Sequence, residues 1–326
     1  MHTDSSRSVL ILGANGRFGR CATEAFRQAG WHVYAQGRTP AASRQIGVSP
    51  VTCDALDVDT IVRTCAGNIQ VVVNALNPLY TEWETRLLPL ADAALRIARE
   101  TDALLMLPGN VYNFGSKLPP VLSEDTPQID DTSKAKLRIA LENNMRAAAE
   151  KGVRSVVIRC GDFLGGDRPG TWMDLVIAKD LAKGRVVYPG PLDLKHAWAY
   201  LPDLAKVFVA VAERRAQLAP FDVFHYAGLT LTGGELINAL EAAIGRSLKV
   251  GNMPWWLLRL AKPFSSMLRA VMEMKYLWDK PHSLSEVRLR KLIGQVPRTD
   301  ISKVLQSVLA PMGVESAVRV AMSVGE

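Results

Sequence analysis

A doubly wound parallel α/β sheet with a smaller C-terminal substrate lobe is the fold class this sequence predicts, and three observations predict it. Short β-rich apolar runs recur through the first two-thirds of the chain. Longer stretches rich in Ala, Leu and Arg separate them, and a glycine-spaced turn directly follows the first run. Continuous apolar strands are buried on both faces, as in a parallel sheet covered by helices. Right-handed crossovers then place those helices on both sides. The 326 residues, 48% of them apolar, suffice for one large domain or two small ones, since a domain takes roughly 100–200 residues.

The strands follow in order: Val9-Leu10-Ile11-Leu12, His32-Val33-Tyr34-Ala35, Val51-Thr52-Cys53, Val71-Val72-Val73, Leu104-Leu105-Met106-Leu107 and Ser155-Val156-Val157-Ile158. Residues 20–29, 87–100 and 134–151 have helical composition. After Asp162 the pattern becomes irregular, and residues 161–170, with four glycines and a proline, read as a long loop. A further strand is expected at residues 223–226 and a helix start at Leu231-Thr232-Gly233-Gly234-Glu235. Asp203 is expected to cap a helix over 204–213. The chain therefore divides into a dinucleotide domain, 1–165, and a substrate lobe, 166–326, whose strand near 223–227 returns to the main sheet.

Composition excludes several classes. Cys21, Cys53, Cys65 and Cys160 form no CxxC pair and have no histidine grouping nearby, which argues against a metal site or a disulfide scaffold. The net charge is +7 without a basic run, so an anionic small molecule is expected as partner and nucleic acid is not. No segment offers about 20 uninterrupted apolar residues for a membrane span. The four-residue run after the N-terminal segment is too short for a leader. A cytoplasmic protein is expected. The stretch 253–278 interleaves Trp255, Trp256, Tyr276 and Trp278 with Arg259, Lys262, Arg269 and Lys275. It reads first as part of a substrate lobe, broken by Pro254 and Pro263, and second as a membrane-surface helix.

Gly13-Ala14-Asn15-Gly16-Arg17-Phe18-Gly19 leads from the first strand into the first helix. Such a turn needs glycine for its bend, for close approach to a pyrophosphate and for helix–strand packing. The amides at the helix start then face the phosphate charge. At the end of the second strand, Ala35-Gln36-Gly37-Arg38 lacks the acidic residue that accepts from an NAD ribose. Arg38 instead suits a 2′-phosphate, with Arg17 as a second cation, so NADP is favoured over NAD. Asp54 with Ala55 is placed near the adenine, and Asp57 reads as a helix cap. The small residues of Asn74-Ala75-Leu76 let backbone pass close to the cofactor.

Glycine spacing, Asp54, Asn74-Ala75 and strand order together resemble the extended and atypical branch of the short-chain dehydrogenase/reductase superfamily. That is a Rossmann fold whose branch includes NAD(P)-dependent epimerases and dehydratases. The resemblance implies a hydroxyl residue after the fifth strand, then Tyr and Lys four residues apart. The alignment puts Pro108 at the hydroxyl position and Lys134 at the lysine, with Asp130 where the tyrosine belongs. Lys136, preceded by Thr132, is the other lysine candidate. The usual triad is therefore not intact. Lys134 is expected to bind the nicotinamide ribose and, shielded from water, to serve as an acid–base group. Tyr112 and Tyr80 are the alternative replacements for the missing tyrosine. Tyr80, Asn110, Asp162, Trp172 and His196 are the expected substrate contacts, with His196 read as pocket wall ahead of general base and His225 as structural.

Three functions stay open at this point. The first is NADP-dependent hydride transfer to or from a carbonyl, hydroxyl or activated double bond of a small apolar substrate. The second is epimerisation or dehydration of a nucleotide sugar with tightly held NAD(P). The third is a non-catalytic redox sensor. Members of the family often pair as homodimers, and the resemblance leaves that open here.

Overall fold

A computed structural model describes residues 7–39, 46–65 and 69–313. The N-terminal residues 1–6, read above for a leader, lie outside that set. Seven parallel strands form the main sheet: β1 (Ser8–Leu12), β2 (His32–Gly37), β3 (Val48–Thr52), β4 (Val71–Asn74), β5 (Leu104–Gly109), β7 (Ser155–Cys160) and β11 (Phe221–Tyr226). A short β6 (Val121–Leu122) precedes β7 outside this sheet. The spatial order is β11-β7-β5-β4-β1-β2-β3. Every residue of β1, β4 and β7 is buried, as the unbroken apolar runs require. The order reverses between β1 and β4, and open α/β sheets bind ligands beyond the strand ends at such a switch point.

Two helical layers cover the sheet. One face carries α1 (Arg17–Gln28) and α5 (Leu201–Glu213), with Phe18 against Phe208 at 4.9 Å. The other carries α2 (Val58–Thr64), α3 (Trp83–Thr101) and α4 (Ser133–Ala149). Beyond these, the lobe contains a sheet of β8 (Asp162–Leu164), β10 (Lys195–Tyr200) and β12 (Leu229–Thr232), and the pair β9 (Arg185–Tyr188) and β13 (Lys249–Asn252). Packed with them are α6 (Gly233–Ile244), α7 (Trp255–Ala261), α8 (Ser266–Glu273) and α9 (Tyr276–Asp279). The strand β14 (Ser283–Leu284) pairs with β6, and α10 (Val287–Ile293) and α11 (Ile301–Leu309) close the described chain.

Two local expectations change. Residues 161–170 are not loop throughout, because β8 occupies 162–164 and pairs in parallel with β10. Asp203 does not cap α5, which already begins at Leu201 with Tyr200 as its N-cap. Instead the buried Asp203 carboxylate accepts from the Thr299 N–H and, at 2.9 Å, from its hydroxyl. The expectation failed because an Asp in the first helical turn satisfies the helix dipole whether or not it caps. α6 does start where expected: Thr232 and Glu235 form a reciprocal capping box.

Candidate active site

The glycine turn is assembled by backbone. Gly13 has φ +73° and stands where a Cβ would meet the Ala75 carbonyl at 3.2 Å. At Gly19 a Cβ would overlap the Gly13 carbonyl and approach Ala14 Cα to 2.9 Å, so only glycine lets α1 sit against the turn. The N-cap Gly16 supplies no side-chain hydrogen bond, and the first turn of α1 carries no acid. Its amides are left for an anionic ligand. Phe18 anchors α1 from below, buried in the core.

Gln36, given no role of its own in the sequence, clamps this turn. Its buried side chain accepts from the Gly13 N–H at 2.9 Å and donates to the Cys53 carbonyl at 2.8 Å. Asn15 donates to the Thr39 carbonyl at 2.8 Å, drawing the turn onto the end of β2. Arg38 is exposed and has no acidic partner among the described residues. Arg17 turns elsewhere: it donates to the Gly170 carbonyl at 2.9 Å and lies 3.7 Å from Asp174, so it latches the turn to the lobe. Burial lowers its pKa, offset in part by Asp174. Its Nη1 is buried without a hydrogen-bond partner among the described residues. Asp54 is exposed beside the buried Ala55 and accepts from Leu56 N–H at 2.9 Å. Asp57 caps α2 through the Thr60 N–H. Asn74 is buried and accepts from Leu76 N–H at 3.2 Å, while Ala75 and Leu76 line the Gly13 side. A glycine cradle closed to any Cβ and the uncapped amides of α1 fit a dinucleotide.

The second half of the site is made of side chains. Lys134, in the first turn of α4, is buried and reaches α8, where its Nζ lies 2.7 Å from Glu273 and 3.1 Å from the Ala270 carbonyl. Its backbone N–H also donates to Glu273 at 3.1 Å. Burial opposes the Glu273 charge, yet the bonds from Lys134 hold its carboxyl below the usual range. Lys136 and Asp130 are both exposed, so the position four residues before Lys134 contributes nothing to the cluster. The lysine ammonium lies 5.3 Å over the Tyr80 ring instead.

Tyr80 and Tyr112 share a hydrogen bond of 2.9 Å between their hydroxyls. Tyr80 opens a 3₁₀ turn before α3, and the Asn110 side chain accepts from Tyr112 N–H at 3.0 Å, which fixes the turn after β5. Burial raises both phenols, Tyr112 well above its ordinary value. Arg138, one helical turn beyond Lys134, is buried over the Trp83 ring at 4.8 Å, with no carboxylate bonded to it among the described residues. The carboxylate of Glu142 is taken by Arg159, at 2.6 and 3.2 Å. Burial lowers Arg138, whose charge in turn favours the Tyr80 anion.

Facing these groups is an aromatic wall. Asp162 pairs with His196 Nε2 at 2.9 Å, and its charge is felt at Tyr80, Tyr112 and Tyr276. His196 stacks on Trp278 at 4.2 Å and meets His282 at 4.4 Å. Trp172 lies edge-on to Trp278 at 5.1 Å and 6.5 Å from Trp255. Trp278 belongs to the aromatic stretch read as part of the substrate lobe, whereas Glu273, Arg138 and His282 were not singled out as site residues. Only Arg138, at helical spacing from Lys134, left a signal by which it was findable. His225 lies apart, on β11, with its backbone N–H donated to Glu124.

A glycine-turn Rossmann sheet with a buried lysine and a tyrosine pair at its switch point defines an NAD(P)-dependent enzyme of the extended short-chain dehydrogenase/reductase type. The signature of the NAD dependent epimerase/dehydratase family matches residues 9–225, and the chain belongs to that family. A short-chain dehydrogenase/reductase of Pestalotiopsis microspora is 30% identical over 103 residues, which span 29% of this chain and 36% of that relative. Among solved structures, the chain is similar in fold to the UDP-glucose-4-epimerase of Stenotrophomonas maltophila with bound NAD and formylated UDP-arabinopyranose. There the TM-score is 0.75 at 14% identity, covering 98% of this chain and 100% of that one. The UDP-glucose 4-epimerase from Bifidobacterium longum in complex with NAD+ and UDP gives 0.73 at 17% identity, covering 94% and 98%.

Proposed function

We propose that this protein is an NADP-dependent oxidoreductase acting on a carbonyl or activated double bond of a small, largely apolar substrate. The observation that carries this reading is the wall opposite the tyrosine pair, where Trp172, Trp278 and His196 stack around Asp162. Of this cluster Trp172 is only half-buried, and its ring is the aromatic face left for an apolar ligand. Nucleotide-sugar epimerisation is the competing reading, favoured by the fold it shares with UDP-sugar epimerases. A diphosphate needs cations, and on the lobe side Arg259, Lys262 and Arg269 are exposed rather than gathered at Asp162.

In this reading Gly13, Gly16 and Gly19 with Asn15 hold the pyrophosphate, and Asp54, Ala55, Asn74, Ala75 and Leu76 border the nucleoside. Arg38 pairs with the 2′-phosphate. The bound nicotinamide supplies the hydride. Tyr80 is the proton donor at the cleft, Tyr112 donates its hydroxyl to the phenolate that is left through their shared hydrogen bond, and solvent returns the proton to the exposed Tyr80. Lys134 and Arg138 stabilise the phenolate that is left, and Asn110 holds Tyr112 in register. Asp162, held by His196, orients the substrate against Trp172.

Calorimetric titration of NADPH and NADH into wild type and Arg38→Ala tests the cofactor reading. NADPH is expected to bind at least about tenfold tighter, about 1.4 kcal/mol, with the preference lost in the variant. Equal affinities would remove Arg38 from the argument and favour the NAD-dependent epimerase. Tight binding without oxidation of NADPH by any carbonyl or enone offered would point to the sensor.

A further inference from the structure

The α7–α8 hairpin turns Trp255, Ala270 and Glu273 toward the cleft, but its other side is unlike the rest of the surface. Trp256 is 70% exposed, Leu260 66% and Phe264 90%, with Leu257 and Met267 also exposed. A folded surface rarely gathers such residues within a dozen positions unless something covers them. The charges around them are of one sign. Between Glu241 and Glu273 the sequence has no acidic residue, while Arg246, Lys249, Arg259, Lys262 and Arg269 are all basic. Arg259, Lys262 and Arg269 are exposed, and no carboxylate pairs with them among the described residues.

We propose that this hairpin docks on an anionic lipid bilayer surface. Trp256, Leu260 and Phe264 enter the headgroup–acyl boundary, and Arg259, Lys262 and Arg269 meet the lipid phosphates. Exposed Trp, Phe and Leu set among unpaired Lys and Arg is the composition of an interfacial helix. No helix among the described residues is long and apolar enough to cross a membrane, so the contact lies in the plane of the interface. Charge selects lipid over a second copy of the chain. A two-fold contact through this face would set its cations against their own copies, with no acid on the hairpin's outer side to answer them.

Cosedimentation with vesicles tests the proposal without any catalytic readout. Wild type is expected on vesicles of phosphatidylcholine containing a quarter phosphatidylserine, and only weakly on phosphatidylcholine alone. Reversing Arg259, Lys262 and Arg269 to Glu should weaken binding roughly a hundredfold, the effect of three cations at an anionic surface. Replacing Trp256 and Phe264 by Ser should weaken it by at least about tenfold. Thermal melting of each variant checks that it folds. Absence of wild type from anionic vesicles, or undiminished binding by both variants, overturns the proposal. So does a wild-type dimer in light scattering that either variant converts to monomer, since a second copy would then be what covers the hairpin.

Discussion

The two halves of the cleft are built by different means. On the nucleotide side the working groups are backbone: Gly13, Gly16 and Gly19 open a turn that Gln36 and Asn15 clamp from within the same sheet edge. On the lobe side they are side chains from separate elements, with Lys134 on α4 held by Glu273 on α8, and Asp162 on β8 held by His196 on β10. Backbone cradles tolerate variation around them because every residue has an amide. A side-chain constellation depends on each member, so one departure at Asp130 obliges other groups to supply the proton.

Substituting a side-chain member should therefore cripple chemistry and spare cofactor binding. For Tyr80→Phe we expect turnover to fall by about 10²–10⁴-fold, the range for loss of a general acid, while the NADPH affinity found by calorimetry stays at the wild-type value. A matching loss of affinity would mean that the two halves are not separable.

The seam between them is the buried Arg159–Glu142 pair, joining β7 to α4 with both side chains 2–3% exposed. Glu142→Ala would leave the buried Arg159 guanidinium without its carboxylate and remove the negative charge that favours the buried Arg138 cation. A destabilisation of about 3–5 kcal/mol in urea unfolding is expected. Under about 1 kcal/mol would show that water reaches the seam.

A smaller effect compares the halves directly, because each has a buried histidine whose pKa burial depresses. Burial pushes His225 on the main sheet down to about 3, and does the same to His282 in the lobe, helped by its neighbours. Below the ordinary histidine value the unfolded chain takes up a proton that the folded one refuses. Stability is thus intact above pH 6.5 and is lost as pH falls toward 3. Each histidine contributes on the order of 2 kcal/mol of that loss between pH 6.5 and 4.5. His225→Asn and His282→Asn should each flatten the acid limb of a stability–pH curve by a similar amount. An acid limb left unchanged from wild type in His282→Asn alone would mean that the lobe admits water where the sheet does not.

Much of the nucleotide half was legible before the fold was known. The glycine spacing, the unbroken apolar strands and the absence of an acid after β2 all act within a few residues of one another. Lys134 was found through resemblance, while its ion-pair partner Glu273 lies 139 residues away, beyond the reach of any periodicity. Tyr80 and Tyr112 were separate alternatives for one role until the fold joined their hydroxyls across 32 residues. Asp203 misled because its helix position was correct and its partner, Thr299, is 96 residues further on.

The residues alone settle the strands of the main sheet and their burial, the turn that opens α1 and the helix start at α6. These follow from φ, from side-chain volume and from hydrogen bonds closed over three or four positions. Which carboxylate neutralises Lys134, which hydroxyl reaches Tyr112 and which ring stacks on His196 are settled only when β8, β10, α8 and α9 return to the sheet. Desolvation makes those pairings obligatory, since a buried charge or phenol must find a partner. Desolvation does not name the partner, and distance along the chain carries no record of it.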